Sequence, residues 1–241
     1  MKQVKVYFEK DNYHITEAYK SLRTNIQFCG KDKKVIALTS CTQNEGKSSV
    51  SMQLAASLAE AGKKTLLIDA DMRKSVLMGR SDISGQEIQG LTHFLSGQSN
   101  LTDVICATDV KNFHIIYSGP FPPNPAELLG GKTFKNMLNA LRDIYDYIIL
   151  DTPPLGSVID SAIIAGSCDG VIMVVESGAI SYRFAQEVKE QLEKSNCPIL
   201  GAVLNKVDMQ KQSYGKYGKY YGKYGKYYGK YYGKLEKTEG N

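Results

Sequence analysis

The sequence lacks the paired cysteines, the long apolar run and the leader segment that mark secreted and membrane-spanning proteins. Its five cysteines form no CxxC pair and share no ligand-like spacing with the three histidines, which argues against a disulfide framework or a zinc site. No signal peptide opens the chain, and no apolar run approaches the roughly 18 residues that a bilayer span needs. We therefore expect a reducing compartment, with any membrane association made through a partner.

The C-terminal part of the chain has neither acidic nor aliphatic residues from Tyr214 to Lys234, which contains only tyrosine, glycine and lysine. Its six lysines exceed the formal net charge of +5 for the whole chain, so the remaining residues carry a net charge of −1. Such a stretch buries nothing and its glycines loosen the backbone, so we expect a disordered tail over residues 211–241. The basic character of the protein belongs to this tail.

The rest of the 241 residues suffices for one α/β domain. Short, nearly continuous apolar runs are typical of strands buried on both faces, and helix-length segments separate most of them. This alternation predicts a mostly parallel sheet with helices on both faces. Residues 79–108 are less periodic, and we interpret them as surface helices and loops. We predict strands at 35–40, 65–69, 113–117, 147–151, 171–175 and 199–205, and helices at 15–30, 48–61, 133–144 and 181–194.

The segment SCTQNEGKSS, residues 40–49, follows the first of these buried strands and contains the Gly-Lys-Ser of a phosphate-binding loop. In such a loop the backbone N–H groups around Gly46 face the phosphates, Lys47 reaches the β and γ phosphates, and Ser48 offers its hydroxyl to magnesium. Cys41 occupies the first glycine position of the GxxxxGK[ST] pattern. The motif alone therefore leaves a chance match open.

Carboxylates follow two later strands. Asp69 and Asp71 end one strand, and Asp151 ends another, so we expect three carboxylates to converge at the carboxyl edge of the sheet beside the loop. Carboxylates in this place hold Mg²⁺ or its waters, and an additional one can accept a proton. A single aspartate after a strand is more often a turn or helix cap. Together with Gly-Lys-Ser, however, the two clusters predict a nucleotide site.

These motifs resemble those of the bacterial tyrosine kinase (BY-kinase) family, the autokinases of capsular and exopolysaccharide export. The nine tyrosines of the tail match that family's phosphorylation cluster. The other matching segments are residues 40–49 (Walker A), LLIDADMR at 66–73 (Walker A′), YIILDTPP at 147–154 (Walker B), PPNPAELL at 122–129 and EAYKSLRTN at 17–25. The resemblance implies a P-loop NTPase fold, with an N-terminal oligomerisation helix in residues 1–30, a P-loop kinase domain in 31–210 and the tail.

The resemblance also implies the chemistry, an ATP- and Mg²⁺-dependent autokinase that phosphorylates its own tail and regulates capsular or exopolysaccharide biosynthesis and export. Asp69 or Asp71 would accept the phenol proton, and we favour Asp69. For Asn205, contact with adenine and a strand-ending cap are alternatives. The implied catalytic residues are Lys47, Asp69, Asp71 and Asp151; the metal ligands are Ser48, Asp71 and Asp151; the nucleotide contacts are Thr42, Asn44, Glu45, Gly46, Lys47, Ser48, Ser49 and Asn205; and the phosphorylation sites are Tyr214, Tyr217, Tyr220, Tyr221, Tyr224, Tyr227, Tyr228, Tyr231 and Tyr232.

Partners are implied in the same way. Glu17, Lys20 and Arg23 resemble the family's EX2RX2R motif, with lysine replacing the first arginine, and imply a homo-oligomeric ring that offers each tail to a neighbour. A solvated helix face with a Glu17–Lys20 pair is the alternative. The resemblance further implies a transmembrane activator of the polysaccharide co-polymerase type, a cognate tyrosine phosphatase, and a cytoplasmic location at the inner face of the plasma membrane through that activator. No nucleic-acid partner is expected.

Two other functions compete with this interpretation. A MinD/ParA-like positioning ATPase would share the fold, but it carries a second lysine early in the loop, where this chain has none. A polyanion-binding module would use the tail, through lysine charge and tyrosine stacking. One departure concerns the loop itself: Gln43-Asn44 stands where the family has Pro-Gly. Because asparagine tolerates a positive φ, we expect the loop shape to survive.

Overall fold

The computed structural model describes residues 1–8, 13–83, 85 and 87–208. Met1–Asn205 form one compact unit, so the N-terminal residues and the rest of the α/β domain belong to the same body. A second unit begins at Lys206 and lies outside the described residues from residue 209 onward. The predicted tail and its nine tyrosines are therefore outside the described part of the chain.

A single sheet forms the centre of the fold. Among the described residues it contains nine strands in the order β4-β1-β5-β6-β3-β7-β2-β8-β9. From β6 to β9 across the sheet every neighbouring pair is parallel, whereas β5 with β6 and β1 with β4 are antiparallel. The strands are β1 (Lys2–Val6), β2 (Val35–Ser40), β3 (Thr65–Asp69), β4 (Ser81–Asp82), β5 (Cys106–Thr108), β6 (Phe113–Ile116), β7 (Tyr147–Asp151), β8 (Gly170–Glu176) and β9 (Ile199–Asn205).

Helices cover both faces of the sheet, as the alternation of apolar runs predicts. On one face α2 buries Met52, Leu54 and Leu58 against sheet residues such as Leu67 and Ile149. On the other face the core includes residues of α5, α6, α7 and α8. The helices are α1 (Tyr13–Phe28), α2 (Lys47–Glu60), α3 (Leu91–Leu95), α4 (Leu101–Val104), α5 (Pro125–Gly130), α6 (Lys132–Arg142), α7 (Asp160–Ala165) and α8 (Tyr182–Glu193), with a 3₁₀ turn at Met78–Arg80.

The interpretation of residues 79–108 as surface helices and loops is wrong in part. This segment contains the strands β4 and β5, and it buries Leu91, Val104 and Cys106 in the core. These two strands have only two and three residues, which is too short for a periodic pattern. Strand β1 was not predicted either, although Val4 and Val6 alternate with exposed residues as in a strand with one buried face.

Strand register places the residues of the candidate site side by side. Leu38 of β2 pairs with Asp151 at the end of β7, and Asp151 also pairs with Asp69 at the end of β3. The carboxyl ends of these parallel strands therefore meet at one edge of the sheet. The loop at residues 40–49 follows β2 at the same edge, so the fold brings the predicted phosphate loop to two of the three predicted carboxylates.

Gly90 provides a test of how the segment before α3 is anchored. A Cβ atom at this position would lie 2.4 Å from the backbone N of Gly119 and 2.5 Å from the carbonyl oxygen of Tyr117. Neither backbone atom can move without disturbing the end of β6. We expect Gly90→Ala to lower the free energy of unfolding by about 2 kcal/mol or more, measured by urea unfolding. Gly79→Ala meets nothing within 4 Å and should stay within about 0.5 kcal/mol of the parent protein. Equal effects of the two changes would refute this account.

Candidate active site

The phosphate-binding loop connects β2 to α2 in the conformation that the motif predicts. Gly46 has φ 85° and directly precedes Lys47, the first residue of α2. Asn44 has φ 66°, which confirms that asparagine adopts the positive φ expected where the family has glycine. The Cys41 side chain is fully buried, and burial raises the pKa of its thiol to about 11. That thiol therefore stays protonated and fills space beneath the loop.

Glu45 ties this loop to the neighbouring strands. Its carboxylate accepts a hydrogen bond from the backbone N–H of Thr42, and another from the backbone N–H of Glu176 at 2.9 Å. Its carbonyl oxygen accepts a hydrogen bond of 2.8 Å from the side-chain amide of Asn205, at the end of β9. The Glu45 side chain therefore braces the loop. Contact of Asn205 with adenine stays a prediction, since its amide is shown here only in this brace.

Lys47 lies at the centre of the site and forms a buried ion pair. Its Nζ atom is 2.7 Å from Oδ1 of Asp151, and the two side chains are 7% and 1% exposed. The Ser51 hydroxyl lies 3.0 Å from the same carboxylate oxygen, and the Lys47 ammonium lies 3.4 Å from the Ser48 hydroxyl. The charge of Lys47 is therefore balanced by Asp151 at the place where a phosphate group would lie.

Asp69 is fully buried next to Asp151 and has a strongly shifted pKa. Burial and the negative charge of Asp151 raise its pKa to about 7, while the hydrogen bond from Ser75 and the charge of Lys47 oppose the shift. A carboxyl group with this pKa exchanges a proton near neutral pH, as a general base must. Burial and the neighbouring carboxylate therefore make Asp69 easier to protonate than an ordinary aspartate.

Asp71 organises the loop after β3. Its own N–H lies 3.2 Å from Oδ1 of Asp69, and its carboxylate accepts hydrogen bonds from the backbone N–H groups of Arg73 and Lys74, at 3.3 and 3.0 Å. The Arg73 guanidinium makes a bidentate ion pair with the buried Asp160, at 2.7 and 3.0 Å. Arg73 thus belongs to an anchored ion pair between this loop and α7.

The donor set fits magnesium, although the protein supplies only part of a coordination shell. Among the residues that the structure describes, no three histidine, cysteine, aspartate or glutamate side chains form a metal-binding group. The expected convergence of three carboxylates is therefore not a ready-made metal cage. Magnesium commonly takes one or two carboxylates together with substrate phosphates and water. The Ser48 hydroxyl and the Asp151 carboxylate are hard oxygen donors of the kind that such a site needs.

The predicted interface residues have partners within the chain. Glu17 and Lys20 form an exposed ion pair of 2.8 Å at i, i+3, as in the alternative interpretation of this helix face. Arg23 donates to the carbonyl oxygen of Ser57 at 2.7 Å and so attaches α1 to α2. The role of these three residues between subunits stays a prediction. In the described part of the chain, no helix is both long and apolar enough to cross a membrane.

Three residues of the site were missed by sequence reasoning. Ser51 follows Lys47 by one helical turn and so lies on the same face of α2, a signal that was available. Ser75 and Asp160 had no such signal. Ser75 reaches Asp69 through the geometry of the loop after β3, and Asp160 pairs with Arg73 across 87 residues of sequence.

Comparisons with known proteins favour the tyrosine kinase over the positioning ATPase. A family model described as an AAA domain matches residues 33–197. The chain is 49% identical over 204 residues to the tyrosine-protein kinase CpsD of Streptococcus agalactiae, a match that covers 85% of this chain and 89% of that protein.

Among solved structures, a tyrosine kinase domain is more similar to this chain than a cell-division ATPase is. The kinase domain of the Escherichia coli tyrosine kinase ETK matches with a TM-score of 0.73 and 31% identity, covering 80% of this chain and 77% of that one. The septum site-determining protein MinD from Pyrococcus horikoshii OT3, complexed with Mg-ADP, matches with a TM-score of 0.59 and 25% identity, covering 71% and 69%. The similarity to MinD is thus more distant, and it supports the P-loop NTPase fold.

The raised pKa of Asp69 predicts how stability depends on pH. The folded state holds a proton on this group up to about pH 7, whereas an unfolded aspartate releases it near pH 4. The folded state therefore binds more protons between these values, and the free energy of unfolding falls as the pH rises from 4 to 7. We expect Asp69→Asn to abolish this part of the decrease, up to about 4 kcal/mol, in urea unfolding without nucleotide or metal.

A matched control is Asp143→Asn, which changes an exposed aspartate at the end of α6. It should keep the pH dependence of the parent protein. Parallel curves for the parent and Asp69→Asn would show that Asp69 ionises normally in the fold.

Proposed function

The chain belongs to the family of bacterial tyrosine-protein kinases, and from this membership we propose that it transfers the γ-phosphoryl group of ATP to tyrosines of its own tail. The observation that carries the proposal is the juxtaposition of the loop lysine, Lys47, with two carboxylates of different character. Asp151 is paired with Lys47 at 2.7 Å, and Asp69 beside it has a pKa of about 7. One carboxylate suits charge balance and the other suits proton transfer.

The phosphate-binding loop and Lys47 would hold the triphosphate. The N-terminus of α2 directs backbone N–H groups toward this place, and the Lys47 ammonium supplies a positive charge to the β and γ phosphates. To do so, Lys47 must exchange its contact with Asp151 for contacts with phosphate oxygens. Ser48, Asp151 and Asp71 would hold magnesium, which neutralises the negative charge that develops on the phosphates. Ser51 keeps the Asp151 carboxylate in place through its 3.0 Å contact.

Asp69 would accept the proton of the attacking tyrosine. A phenol has a pKa near 10 and is mostly protonated at pH 7, so a nearby base assists its attack on phosphorus. Ser75 donates a hydrogen bond to Asp69 and thereby orients its carboxylate. Since the site also excludes water around Lys47 and Asp151, the charges there act in surroundings of low polarity.

The tail composition suits the role of substrate. Tyr214–Lys234 carries nine tyrosines and six lysines, and its positive charge is attracted to a triphosphate and to acidic residues. Fully extended, the residues from Tyr214 to Tyr232 would span about 60 Å, enough to reach a neighbouring subunit. Glu17, Lys20 and Arg23 would contribute to the subunit contact. Each added phosphate brings about −1.5 to −2 charges, so three or four would cancel the six lysines.

The biological setting belongs to the same proposal. We infer a role in capsular or exopolysaccharide biosynthesis, a transmembrane activator of the co-polymerase type and a location at the inner face of the plasma membrane through that partner. A cognate tyrosine phosphatase would reset the tail. Two features argue against a MinD/ParA-like function: the loop has no lysine before Lys47, and nine tail tyrosines would have no use.

Mass spectrometry after incubation with Mg·ATP tests the proposal directly. We expect phosphate on tyrosines between Tyr214 and Tyr232, and none on Lys47→Met incubated alone. Lys47→Met mixed with an active variant whose nine tail tyrosines are phenylalanine should gain phosphate on its own tail, because transfer runs between subunits. A candidate activator's cytoplasmic segment is added in parallel. ATP hydrolysis without phosphotyrosine, even with the activator, would favour the positioning ATPase.

A second experiment isolates the proton acceptor. Asp69→Asn keeps the shape of the side chain and can still contact Ser75, but it cannot take a proton. We expect the rate of tail phosphorylation to fall by about 10²- to 10⁴-fold, while the dissociation constant for Mg·ATP changes less than about threefold. The Asp143→Asn control should phosphorylate its tail at the parent rate. Retained phosphorylation in Asp69→Asn would reject Asp69 as the base.

A further inference from the structure

Lys74 lies beside the phosphate-binding loop of the candidate site, on the loop that follows β3. Its Nζ atom donates a hydrogen bond of 3.0 Å to the side-chain oxygen of Gln43, in the phosphate-binding loop. The two residues follow β3 and β2, and β7 lies between these strands in the sheet. Since neighbouring strands are about 4.8 Å apart, β3 and β2 are separated by roughly 10 Å. The side chains of Lys74 and Gln43 together span this separation across the end of β7, where Asp151 pairs with Lys47.

The backbone at Lys74 is fixed on both sides, whereas its side chain is exposed. The Lys74 N–H donates to Asp71 at 3.0 Å. The preceding residue, Arg73, is anchored on the buried Asp160, and the following residue, Ser75, is hydrogen-bonded to Asp69. The Lys74 side chain can therefore change its rotamer while the backbone of the loop stays in place.

We propose that Lys74 is a second phosphate-binding cation of this site, which leaves Gln43 when ATP binds and contacts the γ-phosphate. This inference rests on the proposed function and deepens it. The exchange is favourable in kind, because the ammonium group leaves an exposed hydrogen bond to a neutral amide oxygen and gains an ion pair with an anionic phosphate oxygen.

The position of Lys74 selects the γ-phosphate over the others. Lys74 lies on the loop that directly follows Asp69, the proposed proton acceptor, and the tyrosine that loses its proton to Asp69 must attack the γ-phosphorus. The γ end of ATP therefore faces the loop after β3, while the N-terminus of α2 approaches the triphosphate from the side of β2. Arg73 is already paired with Asp160, which leaves Lys74 as the neighbouring cation with a weak, exchangeable contact.

Calorimetric titration with Mg²⁺ and either ADP or a non-hydrolysable ATP analogue with a β,γ-imido bridge tests the proposal on the full chain. We expect Lys74→Met to weaken binding of the analogue about tenfold and binding of ADP less than about twofold. Lys74→Arg should restore most of the affinity for the analogue. Lys189→Met, which removes an exposed lysine paired with Glu193 on α8, should bind both nucleotides as the parent does.

Gln43→Ala separates the ammonium from the bridge. It removes the partner that Lys74 must leave, so we expect it to bind the analogue at least as tightly as the parent. The role of Lys74 would be overturned if Lys74→Met left the ratio of the affinities for ADP and the analogue unchanged. It would also be overturned if Gln43→Ala lost as much affinity for the analogue as Lys74→Met does. Failure of the parent protein to bind either nucleotide would instead refute the proposed function itself.

Discussion

The buried contact between the Lys47 ammonium and the Asp151 carboxylate is the interaction on which the candidate site depends. Both side chains are almost fully removed from water, where an isolated charge of either sign would be very unfavourable. Losing one partner of such a pair costs about 3–5 kcal/mol, because the other charge is left uncompensated. Strand register satisfies this constraint. Leu38 of β2 pairs with Asp151 of β7, and α2 begins at Lys47 after the loop that follows β2, so the fold itself brings the two charges together.

Asp69 is fully buried beside a second carboxylate, and a single lysine cannot neutralise both. Asp69 and Asp151 are register partners on neighbouring strands, both buried. Burial, together with the negative charge of Asp151, raises the pKa of Asp69 to about 7, since Lys47 is already paired with Asp151. An arrangement chosen for stability alone would avoid this pairing. The same burial and proximity that lower the stability of the fold between pH 4 and 7 give Asp69 a pKa at which it exchanges a proton near neutral pH.

The sequence was sufficient for the centre of this fold and insufficient for its margin. Buried parallel strands read as apolar runs, and so β2, β3, β6, β7, β8 and β9 were predictable, as were the residues at their carboxyl ends. β4 and β5 are too short to show a period, and they exist because β1 and β6 offer them hydrogen-bonding edges. Within the site, Gly-Lys-Ser and the aspartates carried recognisable spacing. Ser75, Asp160 and the contact of Lys74 with Gln43 depend on where loops return, which local sequence does not encode.

The phosphate-binding loop shows how a departure from a motif is absorbed by its surroundings. Gln43-Asn44 replaces a Pro-Gly pair that would stiffen the turn, and Asn44 adopts the positive φ at some strain. The rigidity that proline would have given is supplied from elsewhere. Glu45 accepts a hydrogen bond from the N–H of Glu176, and its carbonyl oxygen is held by Asn205, so the loop is attached to β8 and β9. Both contacts come from strands that lie on the side of β2 opposite β7. The phosphate-binding loop therefore keeps its shape through tertiary contacts of Glu45. The Gln43 side chain does not contribute to those contacts and instead accepts a hydrogen bond from Lys74.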